Sequence, residues 1–276
     1  LGNGESMIIR PWDGKERFTV LVMGMDWRPG EFGASVRTDT MILISLDPKA
    51  NSVGMLSIPR DLFVDVPGYG PQRINTAYSA GDLEGPGGGP RLAMQTVQYN
   101  FGIRVNEYVM VNFETFIRII DLIGGINIEV PYDIYDPLYP DMNYGYDPFY
   151  IEAGWHQMDG ATALKYARSR HSTDDIDRNR RQQQVLYAIR DKVLAFNMIP
   201  ELAMQAPVLW SELSKGIDTG LSLEQILQLA WWVKDIPTSN YRSGVVGWEY
   251  VIPTNWQGQD ILIPNRAKLG PLMAEV

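Results

Sequence analysis

The 276-residue chain contains no cysteine and only two histidines, His156 and His171. The first absence excludes disulfides, thiolate metal sites and cysteine nucleophiles. The second, together with the lack of a nucleophile elbow, leaves classical hydrolase chemistry without support. Positive charge is scarce as well: 24 Lys and Arg stand against 33 Asp and Glu, a net charge of -9. Neutralising a phosphate backbone needs a basic surplus, so nucleic acid is not an expected partner. Any anion site has to be a local gathering of basic side chains. No apolar run reaches the ~18–20 residues that span a bilayer. The chain opens on Leu1, and a membrane anchor upstream of residues 1–16 is an expectation.

What is present reads as a large α/β domain, with 45% apolar residues to build its core. Residues 17–25 (RFTVLVMGM) and 40–46 (TMILISL) are near-continuous apolar runs, the pattern of strands buried on both faces. Residues 53–58 and 107–112 predict further strands. Residues 90–100 open on Pro90 and predict a helix with Leu92, Thr96 and Tyr99 on one side. Residues 113–123 place Phe113, Phe116, Ile117, Ile120 and Ile123 at helical spacing and end at Gly124-Gly125. Strands alternating with helices imply α/β layers. The Gly/Pro-rich residues 82–90 predict a flexible connection that lacks the ending of a phosphate-binding P-loop. Residues 131–150 are rich in Tyr, Asp and Pro, contain no Lys or Arg, and predict a long ordered loop, or on a sharper reading a functional loop that stacks sugar rings on its tyrosines. Residues 200–214 and 222–234 predict helices, the latter capped by Ser222; the last forty residues carry little signal.

The informative stretch is 166–185, YARSRHSTDDIDRNRRQQQV, in which five arginines face three aspartates. A helix from Arg178 onward has Val185, Ile189 and Val193 as its buried stripe. Extended backward, that stripe reaches Gln182 and Arg178, with Arg181 beside them; Arg180 falls on the solvated side. Arginines in a first helical turn oppose the macrodipole, and a bound anion reverses that penalty, because guanidinium groups and free helix amides suit phosphate. Asp174, Asp175 and Asp177 capping the helix and pairing with these arginines accounts for the same pattern, and composition leaves both readings open. Arg168 and Arg170, two residues apart, point the same way in an extended segment. Asp26 ends the first strand, Arg37 and Asp39 lead into the second, and Arg60 follows the third. Strand ends are where open α/β sheets place ligands, and carboxylates beside arginines suit Mg²⁺ bridging phosphate oxygens.

Taken in order, GMDWRPGEFGASVRTDTMILISLDP (24–48), GMLSIPRDLFVDVPG (54–68), RINTAYSAG (73–81), VNFETFIRIIDLIGGINIEVP (111–131) and MDGATALKYARSRHSTDDIDRNRRQQQ (158–184) resemble the motifs of the LytR-CpsA-Psr family of cell-wall phosphotransferases. The resemblance implies a catalytic domain over 17–197, followed by a helical, Trp-rich part over 198–276 that packs on or extends it. The fold it implies is a three-layer α/β/α sandwich around a mixed sheet, with an internal hydrophobic pocket for a polyprenyl chain. It further implies Mg²⁺-assisted transfer of a glycan phosphate from a polyprenyl pyrophosphate carrier to a peptidoglycan hydroxyl, on the extracytoplasmic face of a bacterial membrane. Asp26 and Asp39 match the family's metal carboxylates, and Arg37 and Arg60 its pyrophosphate arginines. Arg168, Arg170, Arg178, Arg181 and Gln182 fall on the other half of that site, and Arg73 is a further candidate. Asp39 and Arg60 are the expected catalytic pair, and Asp175 occupies an acidic motif position. Alternatives are hydrolysis of the same carrier, or a regulatory module that binds polyprenyl phosphates without turnover. A transcriptional role, an older label of the family, is weighed against by the acidic composition.

Overall fold

The computed structural model describes residues 12–25, 38–141, 145–170, 174–195 and 197–276. Asp26, Arg37 and His171 lie outside the described residues. The first half runs β1 (Phe18–Met25), β2 (Thr38–Asp47), β3 (Ser52–Ser57), β4 (Phe63–Val66) and β5 (Gly70–Arg73), then α1 (Thr76–Asp82), α2 (Gly88–Phe101), β6 (Glu107–Asn112) and α3 (Phe113–Leu122). A ribbon follows, made of β7 (Ile126–Val130), β8 (Ile134–Asp136), β9 (Phe149–Ile151) and β10 (Gly154–Met158). Next come α4 (Gly160–Arg168), α5 (Asp175–Ala195), α6 (Ile199–Leu213), β11 (Ile217–Thr219) and α7 (Leu223–Lys234). The chain closes on β12 (Tyr241–Val245), β13 (Val251–Trp256), β14 (Gln259–Pro264) and α8 (Arg266–Glu275).

The result is a mixed α/β fold on a six-stranded sheet of order β11-β6-β1-β2-β3-β12. β1 runs antiparallel to β2 and parallel to β6. The apolar run in β1 is explained by two buried faces. Leu21, Met23 and Met25 pack into one core with Ala93, Val97 and Phe101 of α2 and Leu269 and Leu272 of α8. Phe18, Val20 and Val22 face the opposite way, toward Ile226 and Leu229 of α7. Both edge strands, β11 and β12, come from the C-terminal 198–276 part. A separate core joins the ribbon to α3, α4 and α5 through Ile120, Ile126, Ile134, Phe149, Tyr166 and Val185. The helix α3 ends where predicted, with Gly124 and Gly125 both at positive φ; a Cβ on Gly125 would stand 2.7 Å from the Met158 carbonyl oxygen.

Three expectations are corrected. Residues 131–150 are not a loop throughout, since β8 and β9 pair within them, with Tyr135 opposite Tyr150. Tyr99 is exposed, and α2 instead buries Leu92, Ala93, Thr96 and Val97. The Gly/Pro stretch is already α2 from Gly88, entered through Gly87 in the left-handed region.

Candidate active site

Because β1 and β2 are antiparallel, the end of β1, the start of β2, and the ends of β3 and β6 all meet at one edge of the sheet. Asp39 and Thr40 stand there on β2, Arg60 follows β3, and Phe113 begins α3 directly after β6. The C-terminal end of α4 brings Arg168 and, beyond its last turn, Arg170. The first turns of α5 add Arg178 and Gln182. These residues, with Asp136, Tyr139 and Pro140, line a pocket of about 290 Å³.

Each cation is held differently. Arg60 donates from Nη1 to Asp39 Oδ1 at 2.7 Å, while its Nε lies 3.4 Å from Asp61 and 3.6 Å from Asp175. Arg168 lies over the Phe113 ring at 4.0 Å from its centroid and donates to the Tyr139 hydroxyl at 3.2 Å. Arg170 reaches Asp39 Oδ2 at 3.6 Å, and its backbone N–H donates to Asp136 at 2.9 Å. Arg178 is buried. It donates from Nη1 to Asp175 at 2.6 Å, while its Nε and Nη2 have no partner among the described residues. Gln182 donates to the Ala167 carbonyl at 3.3 Å, leaving its buried Oε1 without a partner.

Burial pulls the Arg178 guanidinium down to about 10, and the like charges of Arg170 and Arg60 add to it against the attraction of Asp175. Burial likewise lowers Arg170, with Arg60 contributing. Burial pushes the Asp39 carboxyl up, but Arg60, Arg170 and Arg178 together outweigh it and hold the group below the usual carboxylate range. Burial also raises Asp61, against Arg60 and Arg73 and with Asp175 adding to the rise. The pocket is thus a place where positive charge is crowded and under-hydrated, a state that an anion relieves.

The acidic residues beside α5 cap the helix and pair with its arginines. Asp174 accepts the Asp177 N–H at 2.8 Å, Asp175 pairs with Arg178, and Asp177 pairs with the solvated Arg180. Yet this pairing uses only Nη1 of Arg178. The structure brings Arg60, Arg168, Arg170, Arg178, Gln182 and Asp39 together and leaves two candidates aside. Arg181 turns to the end of α4, donating to the Tyr166 carbonyl at 2.9 Å and to the Ser169 carbonyl. Arg73 bridges Asp61 at 3.4 Å and the Asp260 carbonyl at 2.6 Å. Sequence reasoning missed Phe113, Asp136 and Tyr139. Phe113 stood at a strand end and was legible by the rule that found Arg60, whereas the other two were hidden in the stretch taken for a loop.

Among the described residues no group of three His, Asp or Glu side chains can hold a metal. Mg²⁺ commonly binds through one or two carboxylates plus substrate phosphates. Asp39, ionised and partly exposed, fits one such donor.

A second cavity, of about 360 Å³ and almost wholly apolar, lies between the sheet and α5–α7, walled by Ile44, Val53, Met55, Leu186, Leu202 and Leu227 among others. Arg178, Gln182, Leu186 and Ile189 follow one another along α5 at near-helical repeats, so one stripe passes from cationic pocket to apolar cavity.

The fold thus carries a basic pocket at its strand ends and an apolar cavity under its helices. The LytR_cpsA_psr family model matches residues 3–265, and the chain belongs to the LytR-CpsA-Psr family. It is 34% identical over 206 residues to the polyisoprenyl-teichoic acid–peptidoglycan teichoic acid transferase TagU of Oceanobacillus iheyensis, covering 74% of this chain and 60% of that protein. The chain therefore spans about three fifths of the length of the curated relatives it matches. Its structure resembles TagT bound to LIIa-WTA, with a TM-score of 0.74, 25% identity, and 100% and 96% of the two chains covered. It also resembles YwtF (TagT) with bound octaprenyl pyrophosphate lipid, with a TM-score of 0.67, 25% identity and the same coverage.

Proposed function

We propose that this chain is the catalytic part of a transferase that moves a glycan phosphate, such as teichoic acid, from a polyprenyl pyrophosphate carrier to a peptidoglycan hydroxyl. The observation that carries the reading is the α5 stripe, on which a buried arginine with N–H groups unpartnered among the described residues precedes by two turns Leu186, which walls the apolar cavity. A pyrophosphate head in the pocket and a polyprenyl tail in the cavity satisfy both halves. The relatives' names, a teichoic acid transferase and a TagT holding octaprenyl pyrophosphate, support the same ligand. On this reading the fold is a three-layer α/β/α sandwich with the lipid inside. The protein works at the extracytoplasmic membrane surface, tethered by an upstream anchor.

In the mechanism, Arg60, Arg168, Arg170 and Arg178 bind the pyrophosphate and stabilise charge as it develops. The acceptor hydroxyl attacks the sugar-linked phosphorus in line; the new P–O bond forms as the bond to polyprenyl phosphate breaks, and that phosphate leaves with the electron pair. Asp39, kept ionised by its arginines, orients Arg60 and accepts the proton of the acceptor hydroxyl as the new bond forms, then passes it to solvent. Asp39, with Asp26 as the matching motif residue, would hold Mg²⁺, which supplies further neutralisation of phosphate charge when bound. The test is transfer from purified lipid-linked glycan to peptidoglycan oligomers, with product analysis. Folded Arg60→Ala and Asp39→Ala variants are expected to lose transfer by about 100-fold or more. Transfer at the wild-type rate, or release of free glycan phosphate regardless of acceptor, contradicts the proposal.

A further inference from the structure

The ribbon beside the pocket carries a surface that the transfer site does not use. β7 pairs with β10 and β8 with β9, so Ile126, Ile128, Val130, Ile134, Phe149 and Ile151 all turn inward to one core. Period-two alternation then places Trp155, Tyr135 and Tyr150 on the outward face. They are exposed by 71%, 55% and 55%, values far above those of the buried side of the same strands. Tyr135 and Tyr150 form a cross-strand edge-to-face pair with centroids 6.4 Å apart, and the Tyr150 hydroxyl lies 3.4 Å from Asp133.

The ribbon borders the pocket. Asp136, whose side chain turns to the face opposite Tyr135, accepts from the Ser169 hydroxyl at 3.0 Å and from the Arg170 N–H at 2.9 Å, and Tyr139, just beyond β8, touches Arg168. The β8 end of the ribbon therefore stands beside the arginines. Its charge is constrained too, because Glu129, Asp133 and Glu152 are exposed here and residues 131–150 contain no Lys or Arg. Such a surface repels a phosphate-rich polymer. It suits an uncharged sugar, whose C–H faces stack on aromatic rings while its hydroxyl and amide N–H groups donate to carboxylates. Exposed aromatic patches of this kind mark interaction surfaces.

We infer that the outward face of the ribbon, through Trp155, Tyr135 and Tyr150, binds the N-acetylhexosamine strand of the acceptor and presents its hydroxyl to the pocket. The inference rests on the transferase reading and names the acceptor subsite within it. The test measures binding of the full chain to peptidoglycan sacculi stripped of anionic polymer, and to β-1,4-linked N-acetylglucosamine oligomers. Wild type and Arg178→Met are expected to bind both, with little dependence on salt. Tyr135→Ala/Tyr150→Ala and Trp155→Ala should each weaken binding by about tenfold per ring removed, while Tyr135→Phe/Tyr150→Phe retains it. Polyprenyl lipid co-purifying with the tyrosine variants reports that the pocket and cavity are intact. Undiminished sacculus binding by both alanine variants overturns the inference, as does binding that requires anionic polymer. Absence of lipid from the wild type counts instead against the transferase reading itself.

Discussion

Arg178 condenses the account into one side chain: it is nearly inaccessible, pairs once with Asp175, and keeps two nitrogens without partners. A buried charge held this way costs folding energy that a ligand recovers. Arg178→Met is expected to leave the thermal stability of the unliganded protein unchanged or raised, while weakening polyprenyl pyrophosphate binding by roughly 2–5 kcal/mol; thermal unfolding and lipid titration check the two halves. Glu107, on β6 at the opposite end of the sheet, offers a contrasting case. Its carboxyl is buried with Oε1 unpartnered, and burial raises it above its ordinary value of 4.5. A raised folded value means stability is fully present below pH 4.5 and falls as pH rises through the folded value. Glu107→Gln should therefore gain about 1–3 kcal/mol over wild type at pH 8 and lose that advantage near pH 4, as denaturant melts at the two pH values would show. Residue identities at the pocket were largely legible, because Arg178 and Gln182 follow from helix-stripe geometry and Arg60 from the strand-end rule; Arg168 and Arg170 were read as one extended pair, whereas Arg168 closes α4 and only Arg170 lies beyond it. The fate of Arg181 was not, since a helix face does not reveal which neighbour's carbonyls will claim a guanidinium.

At the scale of elements, α5 sets the chemistry and α6 and α7 enclose the cavity. α7 begins with a reciprocal capping box between Ser222 and Gln225, yet it buries none of its residues fully. That suits an element covering a cavity. Ala203 of α6 and Ala230 of α7 both line this space, so Ala203→Trp should fill it and abolish co-purifying lipid while changing stability by no more than about 1–3 kcal/mol. Retention of lipid by a folded Ala203→Trp protein would place the tail elsewhere. The strands β1, β2, β3 and β6 were readable because each is an apolar run buried on the sheet. β8 and β9 were not, being three residues each within a Tyr, Asp and Pro background. β12, YRSGV, has no apolar run, and its place beside β3 is set by tertiary pairing alone.

For the whole molecule, an acidic chain gathers Arg60, Arg168, Arg170 and Arg178 at one sheet edge, and the helix that carries Arg178 also walls an apolar cavity. If Mg²⁺ joins Asp39 in neutralising the substrate, a chelator should reduce transfer sharply and spare most lipid binding, since the buried arginines and the cavity remain. Restoring Mg²⁺ should restore transfer. The central claim is that head and tail of one lipid occupy the pocket and the cavity, both lined by α5, and native mass spectrometry of the purified protein tests it most directly. The account predicts a bound polyprenyl phosphate or pyrophosphate in the wild type, lost in Ala203→Trp and reduced in Arg178→Met. A wild-type protein exposed to polyprenyl pyrophosphate that carries none, or one whose lipid survives both substitutions, would contradict it.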